Sequence, residues 1–95
     1  MIKYLSAILE GVYVQELLKS SKKAIGIKQS LKVVEADNAG VVFIASDADE
    51  KITGALKELC IAKSIEIVYI DTMKQLGKAC GIEVGASAVT ILKQP

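Results

Sequence analysis

The chain has 95 residues, of which 52% are hydrophobic and 24% charged, a composition typical of one globular domain and not of a disordered segment. Twelve lysines and no arginines stand against eleven acidic residues, so the net charge is +1 and an overall positive field that would attract nucleic acid is excluded. Histidine is absent, which removes the usual general base at neutral pH and the commonest transition-metal ligand. Tryptophan is absent too, and three tyrosines and one phenylalanine are too few aromatic residues for a stacking platform for single strands.

The segment before the first strand is predicted to be helical. Apolar residues recur at helical spacing over 1–11, and Val14, Leu17 and Leu18 share one face of a second helix. Glu10 interrupts the one stretch that resembles a secretory signal, and no apolar run reaches the roughly 18 residues that span a bilayer. We therefore expect a soluble, cytoplasmic protein that contacts no membrane.

From residue 24 onward, strands alternate with helices. A short strand end over 24–27 leads into a helix over 28–38 that Gly40 is expected to close. The unbroken apolar run over 41–45 predicts a strand that is covered on both faces. An amphipathic helix is predicted next, over 50–63.

The second half of the chain continues this alternation. Residues 65–70 are predicted to form a strand, and Thr72 is expected to cap a short helix that Gly81 ends. A loop over 82–85 precedes the last strand, over 86–92. Such alternation requires crossover connections, so we expect a single domain of the α/β class, an α/β/α sandwich around a parallel or mixed sheet.

The first candidate site is the segment 26–32, at the predicted strand-to-helix junction. Gly26 would let a ligand approach the backbone closely, and the free amides at the positive end of the helix dipole favour a phosphate. Lys28 and Lys32 are four residues apart and share one helical face, while Gln29 offers the donor and acceptor that a base edge requires. From spacing alone, a solvated helix start without a ligand stays the alternative.

Two further segments carry candidate residues. The acidic turn over 47–50 resembles a calcium loop, but the glycine and the distant glutamate of such a loop are missing, and capping of the next helix explains its carboxylates without a ligand. The apolar loop over 81–86 could lie against nucleobase faces, or it could fold onto the core.

Motifs for catalysis or metal binding are absent from the sequence. It contains no glycine-rich phosphate loop, no nucleophile elbow and no Cys/His pair. Cys60 and Cys80 lack the spacing of a zinc or redox site, and we interpret both as core thiols. We therefore expect no catalytic residue, no metal and no cofactor.

Taken together, in this order and spacing, the three candidate segments resemble the L7Ae family of ribosomal proteins, with their L30e relatives, and most of all its short bacterial members. The similarity covers residues 12–93 and is most specific over 26–32, 44–49 and 76–85, where Leu-Gly-Lys-Ala-Cys-Gly leads into Ile-Glu-Val. Residues 1–11 have no counterpart and are interpreted as an N-terminal helical extension or a misassigned start.

The resemblance implies a fold and a function. The implied fold is a three-layer α/β/α sandwich with a four-stranded mixed sheet. The implied function is sequence- and shape-specific binding and stabilisation of kink-turn RNA by a monomeric, ribosomal or ribosome-associated protein. In the family, the helix start enters the widened major groove at sheared G·A pairs, the acidic turn approaches the bulge, and the late loop packs on a flipped-out base. The RNA-binding residues implied here are Gly26, Ile27, Lys28, Gln29, Lys32, Asp49, Ile82, Glu83, Val84, Gly85 and Ala86.

Three departures from the family pattern affect those contacts. Many archaeal and eukaryotic relatives have Asn-Glu at or beside Lys28-Gln29, so base contacts would differ in detail. Glu50-Lys51 stands where a proline is common, and Val84 stands where some relatives have an arginine, which removes a cationic contact.

Two other functions stay open on the sequence. The first is a small phosphoacceptor signalling domain with Asp47 or Asp71 as the acceptor, since open α/β sheets bind ligands at the carboxyl ends of strands. The second is a protein-interaction module of the same fold, which would not need to keep the segment 26–32.

Overall fold

The computed structural model describes residues 17–19 and 22–93. Residues 17–19 are helical, in agreement with the second predicted helix, whereas the helix predicted over 1–11 lies outside the described residues. The elements that follow are β1 (Lys23–Ile25), α1 (Ile27–Glu35), β2 (Ala39–Ala45), α2 (Glu50–Ala62), β3 (Glu66–Ile70), α3 (Met73–Ala79) and β4 (Ala88–Leu92). No helix within the described part of the chain has the length and apolarity that a membrane crossing requires.

The strands form one four-stranded mixed sheet in the order β1-β4-β2-β3. Strand β4 runs antiparallel to both of its neighbours, β1 and β2. Strands β2 and β3 are parallel, as a crossover through α2 requires. The α/β fold class with a mixed sheet of four strands is therefore confirmed.

Helices cover both faces of the sheet, because successive side chains of β2 point to opposite faces. Phe43 packs with Leu76 of α3 in one apolar cluster. Its neighbour Ile44 packs with Val34 of α1 and Leu56 of α2 in the other. The run 41–45 is buried throughout, as predicted for a strand between two helical layers.

The helix predicted over 28–38 has different bounds, and Gly40 does not close it. It begins at Ile27, which had been assigned to the preceding strand, and it ends at Glu35. Asp37 takes the left-handed position after the helix, with φ of 58°. The Asn38 amide then donates to the carbonyl of Val33 at 3.0 Å, which satisfies a carbonyl at the helix end. Aspartate tolerates this conformation better than most residues, so no glycine is needed.

Gly40 lies instead within β2, where the pairing with β4 is irregular. Ala39 pairs with Leu92 and Val41 with Ile91, which leaves Gly40 without a partner between them. In a regular strand Ala39 and Val42 would point to opposite faces, but the extra residue puts both in the same apolar cluster. Glycine is frequent at such bulges because it adapts to the local kink.

Candidate functional site

The three candidate segments meet at one end of the sheet, where strands β1, β2 and β3 end and strand β4 begins. The Gly26 amide donates to the Ala88 carbonyl at 2.8 Å, so the start of α1 lies beside the start of β4. The Ala45 amide donates to the Ser87 carbonyl at 2.9 Å, which joins the end of β2 to the same place. We call this end of the sheet the rim. It is formed by residues 26–32, 46–49, 71–72 and 81–87.

The start of α1 presents unpaired backbone and charged side chains at the rim. Gly26 is the N-cap residue, with φ of 101°, and no side chain caps the helix. A side chain at this position would meet no atom within 4 Å, so glycine is required for the backbone conformation and not for space. Lys28, Gln29 and Lys32 are exposed, whereas Ile27 packs against the cluster beneath the helix.

Two carboxylates of the acidic turn, those of Asp47 and Asp49, accept hydrogen bonds from backbone amides at helix starts, whereas that of Glu50 pairs with Lys57. Asp49 is the N-cap of α2 and accepts a hydrogen bond from the Lys51 amide at 3.0 Å. Asp47 accepts one from the Met73 amide at 2.8 Å and so reaches the start of α3. Capping, the reading without a ligand, is confirmed for Asp49. The bond from Asp47 to α3 is a tertiary contact that the sequence did not indicate.

The late loop, residues 82–86, lies directly on α3. A side chain at Gly77 would collide with the carbonyl oxygen of Val84, so the loop approaches the helix as closely as it does only because position 77 is glycine. Ile82 packs against the core and Ala86 is buried. Val84 is 69% exposed and is the aliphatic side chain that this loop presents to solvent.

The two cysteines are buried, and the described acidic and thiol groups do not cluster as a metal site would require. Burial raises the pKa of the Cys60 thiol to about 11 and also raises the pKa of Cys80, so both stay protonated at neutral pH. Both are buried, as expected for core thiols. Across residues 17–19 and 22–93, no three Cys, Asp or Glu side chains come together as a metal would require.

Sequence reasoning missed the residues that hold the rim together. Met73 and Gly77 carried no candidate chemistry, and Asp47 was considered only as a phosphoacceptor or a capping acid. The contacts of Asp47 and Met73, and of Gly77 and the late loop, join residues that are separated in the chain. A glycine in the interior of a short helix is the one local signal that could have indicated a close approach at position 77.

Comparison with known proteins gives one family and several similar chains. The model of the ribosomal protein L7Ae/L30e/S12e/Gadd45 family matches residues 12–95. An RNA-binding protein of Caldanaerobacter subterraneus subsp. tengcongensis is 52% identical over 66 residues, which cover 70% of this chain and 80% of the relative. The large ribosomal subunit protein eL8 of Halobacterium salinarum is 39% identical over 85 residues, covering 88% of this chain and 69% of the relative.

The similarity extends to solved structures. A 15.5 kD RNA-binding protein of Giardia lamblia is similar to this chain with a TM-score of 0.72 and 29% identity, covering 98% of this chain and 73% of the other. The matched family region includes every segment of the rim.

Proposed function

The chain belongs to the ribosomal protein L7Ae/L30e/S12e/Gadd45 family, and we propose that its rim binds RNA and stabilises a kink-turn. The relatives described above are named as RNA-binding or ribosomal proteins and not as enzymes. The function is therefore binding. We further propose that the RNA is ribosomal or part of another ribonucleoprotein, and that the protein acts as a monomer in the cytoplasm.

The observation that carries this proposal is the convergence of three chemically different segments on one rim. An undistorted RNA duplex hides its base edges in a deep, narrow groove, so sequence-specific contacts require a bent or opened site. The rim offers a cationic helix start, a carboxylate and an exposed aliphatic side chain side by side. These suit, respectively, the phosphates, the base edges and the face of an unstacked base, which occur together where a duplex is sharply bent.

The start of α1 supplies the contacts to the opened groove. Gly26 leaves the first amides of the helix accessible, and these amides and the helix dipole attract a phosphate. Lys28 and Lys32 add two cations on the same face, and neither is engaged in an ion pair with a described residue. Gln29 is exposed beside Lys28 and can donate to and accept from a guanine edge.

The other two segments supply the contacts to the bulge. One oxygen of Asp49 caps α2, which leaves the second oxygen to accept from an amino group or a 2′-hydroxyl of a bulge nucleotide. Val84 packs on the flipped-out base, and its neighbours Glu83 and Gly85 border the same contact. Ile82 and Ala86 hold the loop from the inside, because their side chains face the core.

The phosphoacceptor alternative conflicts with the role of its first candidate acceptor. The Oδ1 oxygen of Asp47 accepts a hydrogen bond from the Met73 amide at 2.8 Å, so phosphorylation of this side chain would disrupt its bond to the first residue of α3. Family membership also assigns the chain to RNA-binding proteins and not to phosphotransfer domains.

A gel shift with two RNAs tests the proposal. One RNA contains a kink-turn, and the other has the same sequence except that its tandem G·A pairs are replaced by Watson–Crick pairs. We expect a stable complex with the first RNA alone. Equal affinity for both RNAs would leave general RNA binding in place and refute recognition of the kink-turn.

A further inference from the structure

Met73, the first residue of α3, joins the acidic turn to the late loop. Its amide donates to Asp47 Oδ1 at 2.8 Å, and its carbonyl accepts from the Ala86 amide at 3.0 Å. Gly85 lies so close to Met73 that a Cβ added to the glycine would be 3.1 Å from the Cβ of Met73. The sulfur of Met73 is 3.6 Å from the hydroxyl of Ser87. Met73 therefore lies against three consecutive residues, 85–87, at the end of the late loop, and it also contacts the acidic turn.

The bond from Asp47 is not needed to start α3, because the helix has its own cap. Thr72 accepts a hydrogen bond from the Gln75 amide at 3.0 Å, the usual arrangement for an N-cap threonine. Asp47 lies 26 residues before Met73 and satisfies a second amide of the first turn. The consequence of this bond is tertiary, since it fixes the start of α3 to the loop that follows β2.

We propose that Asp47 is a positioning residue for the RNA-binding rim. Through Met73, its carboxylate oxygen holds α3 and the late loop in register with the acidic turn, so that Val84 and Asp49 stand at a fixed separation. It does so as a hydrogen-bond acceptor, and it does not contact the RNA itself. The expected change in RNA affinity rests on the proposed function. The expected change in amide hydrogen exchange rests on the geometry of these contacts alone.

The test compares three variants of the full chain. Asp47→Ala removes the acceptor, whereas Asp47→Asn removes the charge but keeps an oxygen in the same place. Asp71→Ala removes a charge at the end of the adjacent strand, where the side chain has no hydrogen bond to a described residue. Each variant is titrated with the kink-turn RNA, and amide hydrogen exchange is followed at Met73 and Ala86.

In Asp47→Ala we expect the affinity for the kink-turn RNA to fall about fivefold, the equivalent of one lost helix cap. Exchange at the amides of Met73 and Ala86 should become faster, because the first loses its acceptor and the second loses its fixed partner. Asp47→Asn should restore both readouts, with an affinity at or above that of the wild type. Asp71→Ala should leave the exchange of both amides unchanged.

Three results would overturn the inference. The first is an Asp47→Ala protein with wild-type affinity and exchange, and the second is an Asp47→Asn protein as impaired as Asp47→Ala. The third is faster exchange in Asp71→Ala to the same extent, which would make the effect one of charge alone. If Asp47→Ala does not fold, the Asp47→Asn protein decides between acceptor and charge. A wild-type protein that does not distinguish the two RNAs would refute the kink-turn proposal, while the exchange experiment would still decide the role of Asp47.

Discussion

Lysine is the sole cationic side chain in this protein, so each contact to phosphate depends on a flexible point charge instead of a guanidinium fork. Lys28 and Lys32 have the placement that such contacts need, at the exposed start of α1 beside unpaired amides. Among the other described lysines, Lys57 and Lys63 are already paired with carboxylates. Binding should therefore depend on the first two far more than on an average lysine.

We predict that Lys28→Ala and Lys32→Ala each weaken binding to the kink-turn RNA by at least about 1 kcal/mol. Both side chains are exposed, so the free energy of unfolding should stay within about 0.5 kcal/mol of the wild-type value. Lys93→Ala is the matched control, since Lys93 follows the end of β4 and so lies at the end of the sheet opposite the rim. Titration of the three variants, with urea unfolding beside it, measures both quantities. Unchanged affinity in both rim variants would remove these lysines from the site.

Val84 offers a second test at the residue scale. The valine is exposed on the rim, and in the proposed complex a carboxylate in its place would need to be desolvated against the flipped-out base. We predict that Val84→Asp abolishes the preference for bulged RNA and changes the weak binding to a straight duplex very little. Affinity for each RNA is the measurement.

Ile61→Asp is the control for that experiment. Ile61 is 73% exposed, about as much as Val84, but it lies near the end of α2, away from the rim. This substitution should leave both affinities unchanged. An equal loss on bulged and straight RNA in Val84→Asp would show that its effect is general repulsion and not loss of a base contact.

At the scale of elements, two helical glycines have opposite surroundings. Gly54 lies within α2, and a side chain there would meet no atom within 4 Å. Gly77 lies within α3, and a side chain there would collide with the backbone of the late loop. The same substitution should therefore stabilise one helix and displace the loop that rests on the other.

We predict that Gly54→Ala raises the free energy of unfolding by about 0.5–1 kcal/mol, the difference in helix propensity. Gly77→Ala should lower it by about 1–3 kcal/mol, since the collision is with backbone and cannot be relieved by a rotamer change. Urea unfolding of the two variants measures both effects. RNA affinity should fall in Gly77→Ala alone, because Val84 moves with the loop. A Gly77→Ala protein with wild-type stability and affinity would contradict the close approach.

The elements differ in how far the sequence could predict them. Strand β2 was predictable because its apolar run reflects burial on both faces. The end of α1 was predicted too late, because the left-handed position after it is taken by Asp37 and not by a glycine. Asp37 also accepts a hydrogen bond from Lys63 at 2.7 Å, an ion pair with the end of α2 that lowers the pKa of the aspartate. Nothing in the local pattern around Asp37 indicates that contact.

The candidate site was predictable in part, for a related reason. Gly26, Lys28 and Lys32 lie close together in the chain, and their spacing alone suggests a helix start that could bind an anion. The hydrogen bond between Asp47 and Met73 joins residues 26 positions apart, and no periodic pattern in the sequence predicts it. Local patterns could therefore suggest candidate contact residues, but they could not predict the hydrogen bond that joins Asp47 to α3.

At the scale of the whole molecule, the net charge of +1 sets how the protein can bind RNA. Without a general positive field, affinity has to come from a few phosphate contacts together with the fit of the rim to a bent duplex. Nonspecific binding should accordingly be weak, and discrimination between folded and straight RNA should be large relative to the total affinity.

This leads to a prediction about salt. With two to four lysine–phosphate contacts, the logarithm of the association constant should fall with the logarithm of salt concentration with a slope of about −2 to −4. Kink-turn binding measured at several potassium chloride concentrations gives this slope, and Lys28→Ala should make it shallower by about 1. A strongly basic RNA-binding protein would give a much steeper slope and similar affinities for bulged and straight RNA. A slope steeper than about −6 would therefore mean that phosphate contacts, and not the shape of the rim, dominate binding.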